Sequence, residues 1–320
     1  MCYSAQVLQN YRKYEKVYGA DISIEEFVHL YWERDNGAKL KIPKAMDAAF
    51  SEPQDFDQQQ IKALIDAFDC EQATKLEQDL FKQKKRLADA ERSLLSKPTK
   101  KAAEDKRIAT SKIEWTLRKL ADLRRTQPED RDSRIFPGNY SSVMVMENGR
   151  RVIKPMRYQC RPCGKPANYD TRFPGTYNAR RDSLEKFWAP QFGYSHGLIV
   201  ASKFYENVSR HRAEGRELAP GEKEESVVLE FTPRTGEDML IACLWSHWQG
   251  QEGESDLLSF AAITDEPVPE IAAAGHDRTI INIKPEHVDT WLNPDAKNLA
   301  ALYAIFDDKQ VPYYEHRLAA

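Results

Sequence analysis

Long apolar runs are missing from this 320-residue chain, and no stretch approaches the roughly 18–20 residues that span a bilayer. A membrane-spanning role is therefore not expected. The N-terminus has neither the basic nor the apolar region of a secretory signal, so Cys2 does not read as a lipidation site. Cysteine is scarce: Cys2, Cys70, Cys160, Cys163 and Cys243 are odd in number and irregularly spaced. That excludes a disulfide framework and points to reduced thiols in the cytoplasm. The string "CRPCGKP" around Cys160 and Cys163 lacks a clear second ligand pair, Cys243 with His247 being the single candidate, so no metal and no cofactor are expected. Between Gln58 and Arg125 there is no glycine and one proline, Pro98, which excludes a loop-rich segment.

What that segment does contain is a helical stripe. Leu76, Leu80, Leu87 and Leu94 recur at spacings of four and seven, and after the turn at "SKPTK" the pattern resumes with Ala109, Ile113, Leu117 and Leu120. Two long helices folded back as an antiparallel hairpin are predicted over 58–125. From Lys82 to Arg125 the charge is +9 in a chain of −3, so the remainder carries −12. A run of this kind reads either as a solvated face or as a basic arm for nucleic-acid phosphates or a protein partner.

On either side the pattern changes. Residues 3–36 read as short helices, "SIEEFVHLYWER" following a serine cap. From Phe136 onward come strand-like runs, beginning with "SSVMVM" and closed by the hairpin signal "ENGRR". Helix is predicted again from "PEHVDTWL". The fold class expected is α+β: a mainly antiparallel, barrel-like sheet domain from residues 1–50 and 135–300, the helical hairpin inserted at 58–125, and a tail at 301–320.

Four short strings carry possible chemistry. Cys2 follows the initiator methionine, and removal of Met1 would leave an amine and a thiol on adjacent carbons. Their ordinary pKa values, about 7.7–8.0 and about 8.5, leave both partly nucleophilic near neutrality. "TYNARRD" sets Asn178 and Arg180 two apart, on one side of an extended segment, or in an ordinary loop. "KFYENV" places Glu206 behind two aromatics, either as a solvated carboxylate or as a general acid–base with a raised pKa. "AGHDRTIINI" sets His276 in a loop before a strand, structural or proton-transferring.

In this order, "MC", "YNAR", "FYE" and "HDR" ahead of an apolar strand, the chain resembles the SOS response-associated peptidase (SRAP) family. The loop "FPG", the segment "KPMRYQCRP" and the strand "IACLWSHW" fit the same resemblance, over residues 1–15 and 136–295. It implies a protein that binds single-stranded DNA and traps abasic sites, with peptidase-like exposure of Cys2 and lyase-like reversal. Cys2 would then be the crosslinking nucleophile. Asn178 would position the N-terminus and the sugar, Glu206 would shuttle protons, and His276 would protonate the sugar oxygen. Arg180, Arg157 and Arg278 would contact DNA, and Tyr158 would stack on a base. The chain departs from the family pattern at Tyr3–Ser4, Tyr158, Asn207 and Thr279. It would work in the cytoplasm, on the nucleoid when bound to DNA. Two other readings stand beside this one: an N-terminal-cysteine hydrolase of glutamine, and a coiled-coil interaction protein without enzymatic activity.

Overall fold

The computed structural model describes residues 3–251 and 253–319. Its chain divides into two units, one of residues 1–30, 39–52 and 130–320, the other of residues 31–38 and 53–129.

The first unit opens on strand β1 (Ser4–Val7), helix α1 (Tyr11–Tyr18) and the short β2 (Asp21–Ile22), and α2 (Ile24–Asp35) and the short α3 (Lys44–Ala48) follow. The sequence predicts helices alone over 3–36. Four residues are too few for alternation to register as a strand, and β1 exists because it pairs with distant partners. These are β3 (Arg134–Ile135) and the long β7 (His196–Ser209).

Between them lie β4 (Tyr140–Glu147) and β5 (Arg150–Tyr158), joined as predicted by a tight hairpin. Asn148 and Gly149 both take positive φ, 50° and 74°, the geometry that matches the right-handed twist of the flanking strands. Further on come β6 (Asn178–Arg180), β8 (Ser226–Pro233), β9 (Met239–Trp248), β10 (Leu257–Asp265) and β11 (Thr279–Ile280).

The pairings close a ring. β10 runs parallel to β5, β5 pairs with β4, β4 with β7, β7 with β9, and β9 returns to β10, these last four antiparallel. Closure leaves no free edge within the ring. Met156, Tyr158, Ile199, Ile241, Cys243 and Phe260 belong to one buried cluster fed by its strands. Each fully buried side chain of Val to Phe size contributes about 1.5–3 kcal/mol relative to exposure.

Two extensions of this ring position the polar residues. Along one edge of β10, β6 takes over where β5 ends, with Asn178 opposite Ala262 and Arg180 opposite Thr264. Along the other edge β11 takes over from β9, with Ile280 also opposite Thr264. Beyond the ring, β7 continues between β1 and β8, and its residues 204–209 pair with β8. The end of the chain differs from expectation. Helices Val288–Leu292 and Leu299–Asp307 are followed by a strand, β12 (Tyr314–Leu318), paired with β8. Its "YEHRL" has a charged, mostly exposed face that hides the pattern.

The second unit is built on α4 (Phe56–Ser96) and α5 (Lys100–Arg124). Asp55 caps α4 through the Gln58 N–H and Thr99 caps α5 through the Ala102 N–H, on either side of the Pro98 turn. The ion pair Glu77–Arg124 joins the middle of α4 to the end of α5, and Arg86–Asp105 and Glu91–Lys106 near the turn join late α4 to early α5, the mark of antiparallel packing. The buried stripe on α5 is Ala102, Ala109, Thr116 and Leu120, and Leu117 is exposed. Helical rotation places 116 rather than 117 between 109 and 120. Arg34, 5% exposed, lies over the Tyr31 and Phe68 rings at 4.8 and 4.4 Å. Among the described residues no helix is long and apolar enough to cross a membrane.

Candidate functional site

Alternation along β7 decides the state of Glu206. It shares its side of the strand with Phe204 and Val208, both in the buried cluster, so its carboxyl points into apolar surroundings and is 1% exposed. Burial pushes its pKa well above the usual carboxylate range, and an N–H from the Tyr3 backbone opposes that shift.

His276 reaches the same carboxyl from a separate loop. After the short helix Pro269–Ala273 the chain reverses at Gly275, whose φ is +91°. A Cβ there would lie 2.7 Å from the Cβ of Arg212, so the position needs glycine on both counts. The His276 N–H then donates to the Ile271 carbonyl, and its Nδ1 faces the Arg278 carbonyl at 2.9 Å. A carbonyl can only accept, so Nδ1 carries the hydrogen and the imidazole turns Nε2 toward Glu206 Oε2 at 3.3 Å. Burial lowers the pKa of His276 while it raises that of Glu206. Both shifts favour the neutral pair, a carboxylic acid donating to an imidazole, which holds one transferable proton in a site screened from water.

The other sequence-predicted residues are in different states. Asn178 is 6% exposed on β6. Arg180 is exposed and pairs loosely with Asp182 at 3.3 Å, and Arg278 contacts the neighbouring Asp277 carboxylate at 3.2 Å. Both arginines line one cleft at the end of β10, together with Arg181 and Tyr303. Arg181 is committed there to Asp265 and Asp307.

Arg157 and Tyr158 are placed differently from the expectation that they touch DNA. Arg157 holds Asp170 at 2.6 Å, and Arg161 holds the same carboxylate at 2.7 Å. Burial alone would raise the Asp170 pKa, but these two guanidiniums bring it below the usual range. Tyr158 is 2% exposed, stacked on Phe260 at 5.2 Å and edge-on to Tyr177 at 5.7 Å. Its ring faces the barrel core, and no base can stack on it in this arrangement. The parity of β5 accounts for this: Tyr158 and Met156 share the inner side. Cys2 lies outside the described residues. Cys160 is buried, its thiol pushed up to about 12 by burial, Cys163 is exposed, and His247 meets Asp256 at 2.9 Å. Among the described residues no group of three or more His, Cys, Asp or Glu side chains could hold a metal.

One cluster near the start of the chain escapes sequence reasoning. The Arg134 guanidinium lies 3.6 Å from the Tyr205 ring centroid and 4.9 Å from that of Phe136, and its Nε donates to Ser4 Oγ at 3.1 Å. Tyr3 packs edge-on to Phe136 at 5.7 Å, and both rings are more than a third exposed. The tripeptide "RIF" at 134–136 carries no periodic or motif signal, so only the pairing of β3 with β1 reveals it.

The profile described as SOS response associated peptidase (SRAP) matches residues 93–317, from the end of α4 through β12. The chain belongs to the SRAP family. The match takes in α5, which the sequence resemblance leaves aside, and begins after Cys2 and β1. Among curated proteins no relative matches. Of solved structures, a protein from Bordetella bronchiseptica is similar at 18% identity and TM-score 0.46, covering 59% of this chain and 87% of its own. One from Bacteroides thetaiotaomicron is similar at 11% identity and TM-score 0.46, over 59% of this chain and 78% of its own. A phage-related protein from Bordetella bronchiseptica is similar at 17% identity and TM-score 0.44, over 62% and 85%.

Proposed function

We propose that this SRAP protein captures abasic sites in single-stranded DNA through Cys2, once Met1 has been removed. The observation that carries the reading is the buried Glu206–His276 pair, which also takes the Tyr3 N–H, the amide bonded to the carbonyl of residue 2. Ring-opened abasic sugar is an aldehyde. The α-amine adds to it, a proton from the pair converts the departing hydroxyl to water, and an imine remains. The thiolate then adds to the imine carbon and the nitrogen takes up a proton, closing a thiazolidine. Aldehyde and aminothiol thus give one ring and one water. Reversal runs through the same pair. His276 supplies the proton to the sugar oxygen as the ring opens, and Asn178 positions sugar and N-terminus. Arg180 and Arg278 hold flanking phosphates, since an arginine with an exposed carboxylate partner exchanges it at little cost. Arg157 and Tyr158 keep structural roles. Release of Met1 is the peptidase-like step.

The test is incubation of Met1-processed protein with an oligonucleotide bearing one abasic site, followed by a denaturing gel. A shifted band is expected from the native protein and none from Cys2→Ala. A band that survives Cys2→Ala refutes the role of Cys2. So does the lack of any band with native protein whose Met1 is gone by mass spectrometry.

A further inference from the structure

The α4–α5 hairpin concentrates positive charge where it does not serve the fold. Many of its cations are neutralised within it: Lys62 by Asp66, Lys75 by Glu71, Arg92 by Asp89, and Arg107 by Glu104. Lys84, Lys85, Lys97, Lys100, Lys101, Lys112, Arg118 and Lys119 meet no carboxylate within 4 Å among the described residues. Lys97, Lys100 and Lys101 flank the Pro98 turn. Lys82, Lys85, Arg86 and Lys101 line one groove beside it, with the Ser93 and Thr99 side chains. Asp89 and Asp105 also border that groove, but each is already matched, to Arg92 and Arg86.

The charge placement at α5 runs against helix stability. Its first turn carries Lys100 and Lys101 and no acidic residue, at the end where the helix dipole is positive. A sequence shaped only for a solvated helix would place acids there. A feature that breaks a local rule without a structural gain points to a ligand of opposite charge. Further along α5, Trp115 is 49% exposed with Lys119 Nζ 5.9 Å from its ring centroid, and Phe81 on α4 is 73% exposed. Lysines interleaved with exposed aromatic rings suit a nucleic-acid strand, whose phosphates take the cations and whose bases take the rings.

We infer that the distal part of the α4–α5 hairpin is a nucleic-acid-binding arm, contacting phosphates without regard to base sequence. For the identity of its partner the inference rests on the DNA reading of this protein. Its chemistry is separate, since it requires neither Cys2 nor an abasic site.

The experiment uses the full chain and its Lys85→Gln, Lys97→Gln, Lys100→Gln, Lys101→Gln variant. The probe is an undamaged single-stranded oligonucleotide of about 30 nucleotides, read by fluorescence anisotropy over a range of salt. Each lost contact flattens the log–log salt dependence by about 0.7, so the variant is expected to lose roughly two to three units of slope. Near 0.1 M salt that change in slope corresponds to about 10²–10³-fold weaker binding, taking 1 M salt as the reference. Its melting temperature should stay level or rise, because two misplaced charges are gone. An unchanged slope and affinity overturns the inference. So does a charge-dependent affinity that appears with phosphatidylserine vesicles and not with the oligonucleotide, which would make the arm a membrane contact. Crosslinking of an abasic oligonucleotide by the same two proteins at saturation separates the readings. If crosslinking is absent from both while the slope still falls, the Cys2 chemistry fails and the arm stands.

Discussion

Acidification to pH 4.5 should destabilise this protein through one buried imidazole, His196. It begins β7, is 2% exposed, and its ring lies 3.9 Å from that of Trp291 and 5.6 Å from that of Phe192, centroid to centroid. Nδ1 faces the Trp291 carbonyl at 3.0 Å and therefore donates, and Nε2 accepts the Gly193 N–H at 2.9 Å. A second proton on Nε2 would meet an N–H. Burial, only partly opposed by the Trp291 carbonyl, lowers the pKa to about 3. Unfolded histidine titrates near 6.5, so between these values the unfolded state binds the extra proton and the folded state does not. This neutral histidine contributes its full stability above pH 6.5, and the contribution falls by about 1.4 kcal/mol per unit as pH drops toward 3. At pH 4.5 the loss is about 2.7 kcal/mol, a large part of a typical 5–15 kcal/mol. Urea unfolding of native protein and His196→Phe at pH 7 and pH 4.5 checks it. The variant loses two hydrogen bonds and should be less stable at pH 7 by about 2 kcal/mol. That gap should close, or reverse, at pH 4.5. Other titrating groups, His276 included, are common to both proteins and cancel in the comparison. A gap that does not change with pH refutes the argument.

Glu206→Gln keeps a donor toward His276 but has no transferable proton. Crosslinking should slow by about 10²–10⁴-fold in a gel time course, with binding of undamaged DNA unchanged. The same substitution has a stability signature of opposite sign to that of His196. A carboxyl with a raised folded pKa opposes folding more as pH climbs above its ordinary value, so the variant should gain on native protein between pH 5 and pH 8 in thermal melts. Asp170→Asn leaves Arg157 and Arg161 without their shared carboxylate and should cost about 3 kcal/mol in urea unfolding, with little effect on crosslinking per folded molecule. Gly275→Ala forces strain at φ +91° and a contact with Arg212, and it should lower both the melting temperature and the crosslinking rate by displacing His276.

Local signals in the sequence translate well wherever a few neighbouring residues determine the outcome. The Asn148–Gly149 turn is one case, since type I′ geometry needs positive φ at both positions and these residues tolerate it. The long helices are another, because a glycine-free helical period on either side of a proline turn over 58–125 favours two helices folded back on each other, although the residues buried between them are only in part the predicted ones. The signal fails where an element is defined by its partner. β1 is four residues long and β12 is largely charged, and each is a strand because β7 or β8 offers it a ladder. Tyr158 shows the same limit for a side chain. Its residue type suits base stacking, but the register of β5 turns it inward onto Phe260.

The candidate site divides along the same line. Glu206 and His276 are each ambiguous alone, since most glutamates are solvated and most lone histidines are structural. Seventy residues separate them, and no spacing rule links the two. Two independent local facts bring them together. One is strand parity, which sends Glu206 inward with Phe204 and Val208, and the other is a left-handed glycine that turns the loop before His276. Once they meet, burial drives both pKa values toward neutrality, and a chemical property appears that belongs to neither residue in isolation. The Tyr3 N–H at the same carboxyl gives that property a direction. Under the proposed reading, a pair that takes the Tyr3 N–H would serve the chemistry of the residue before it.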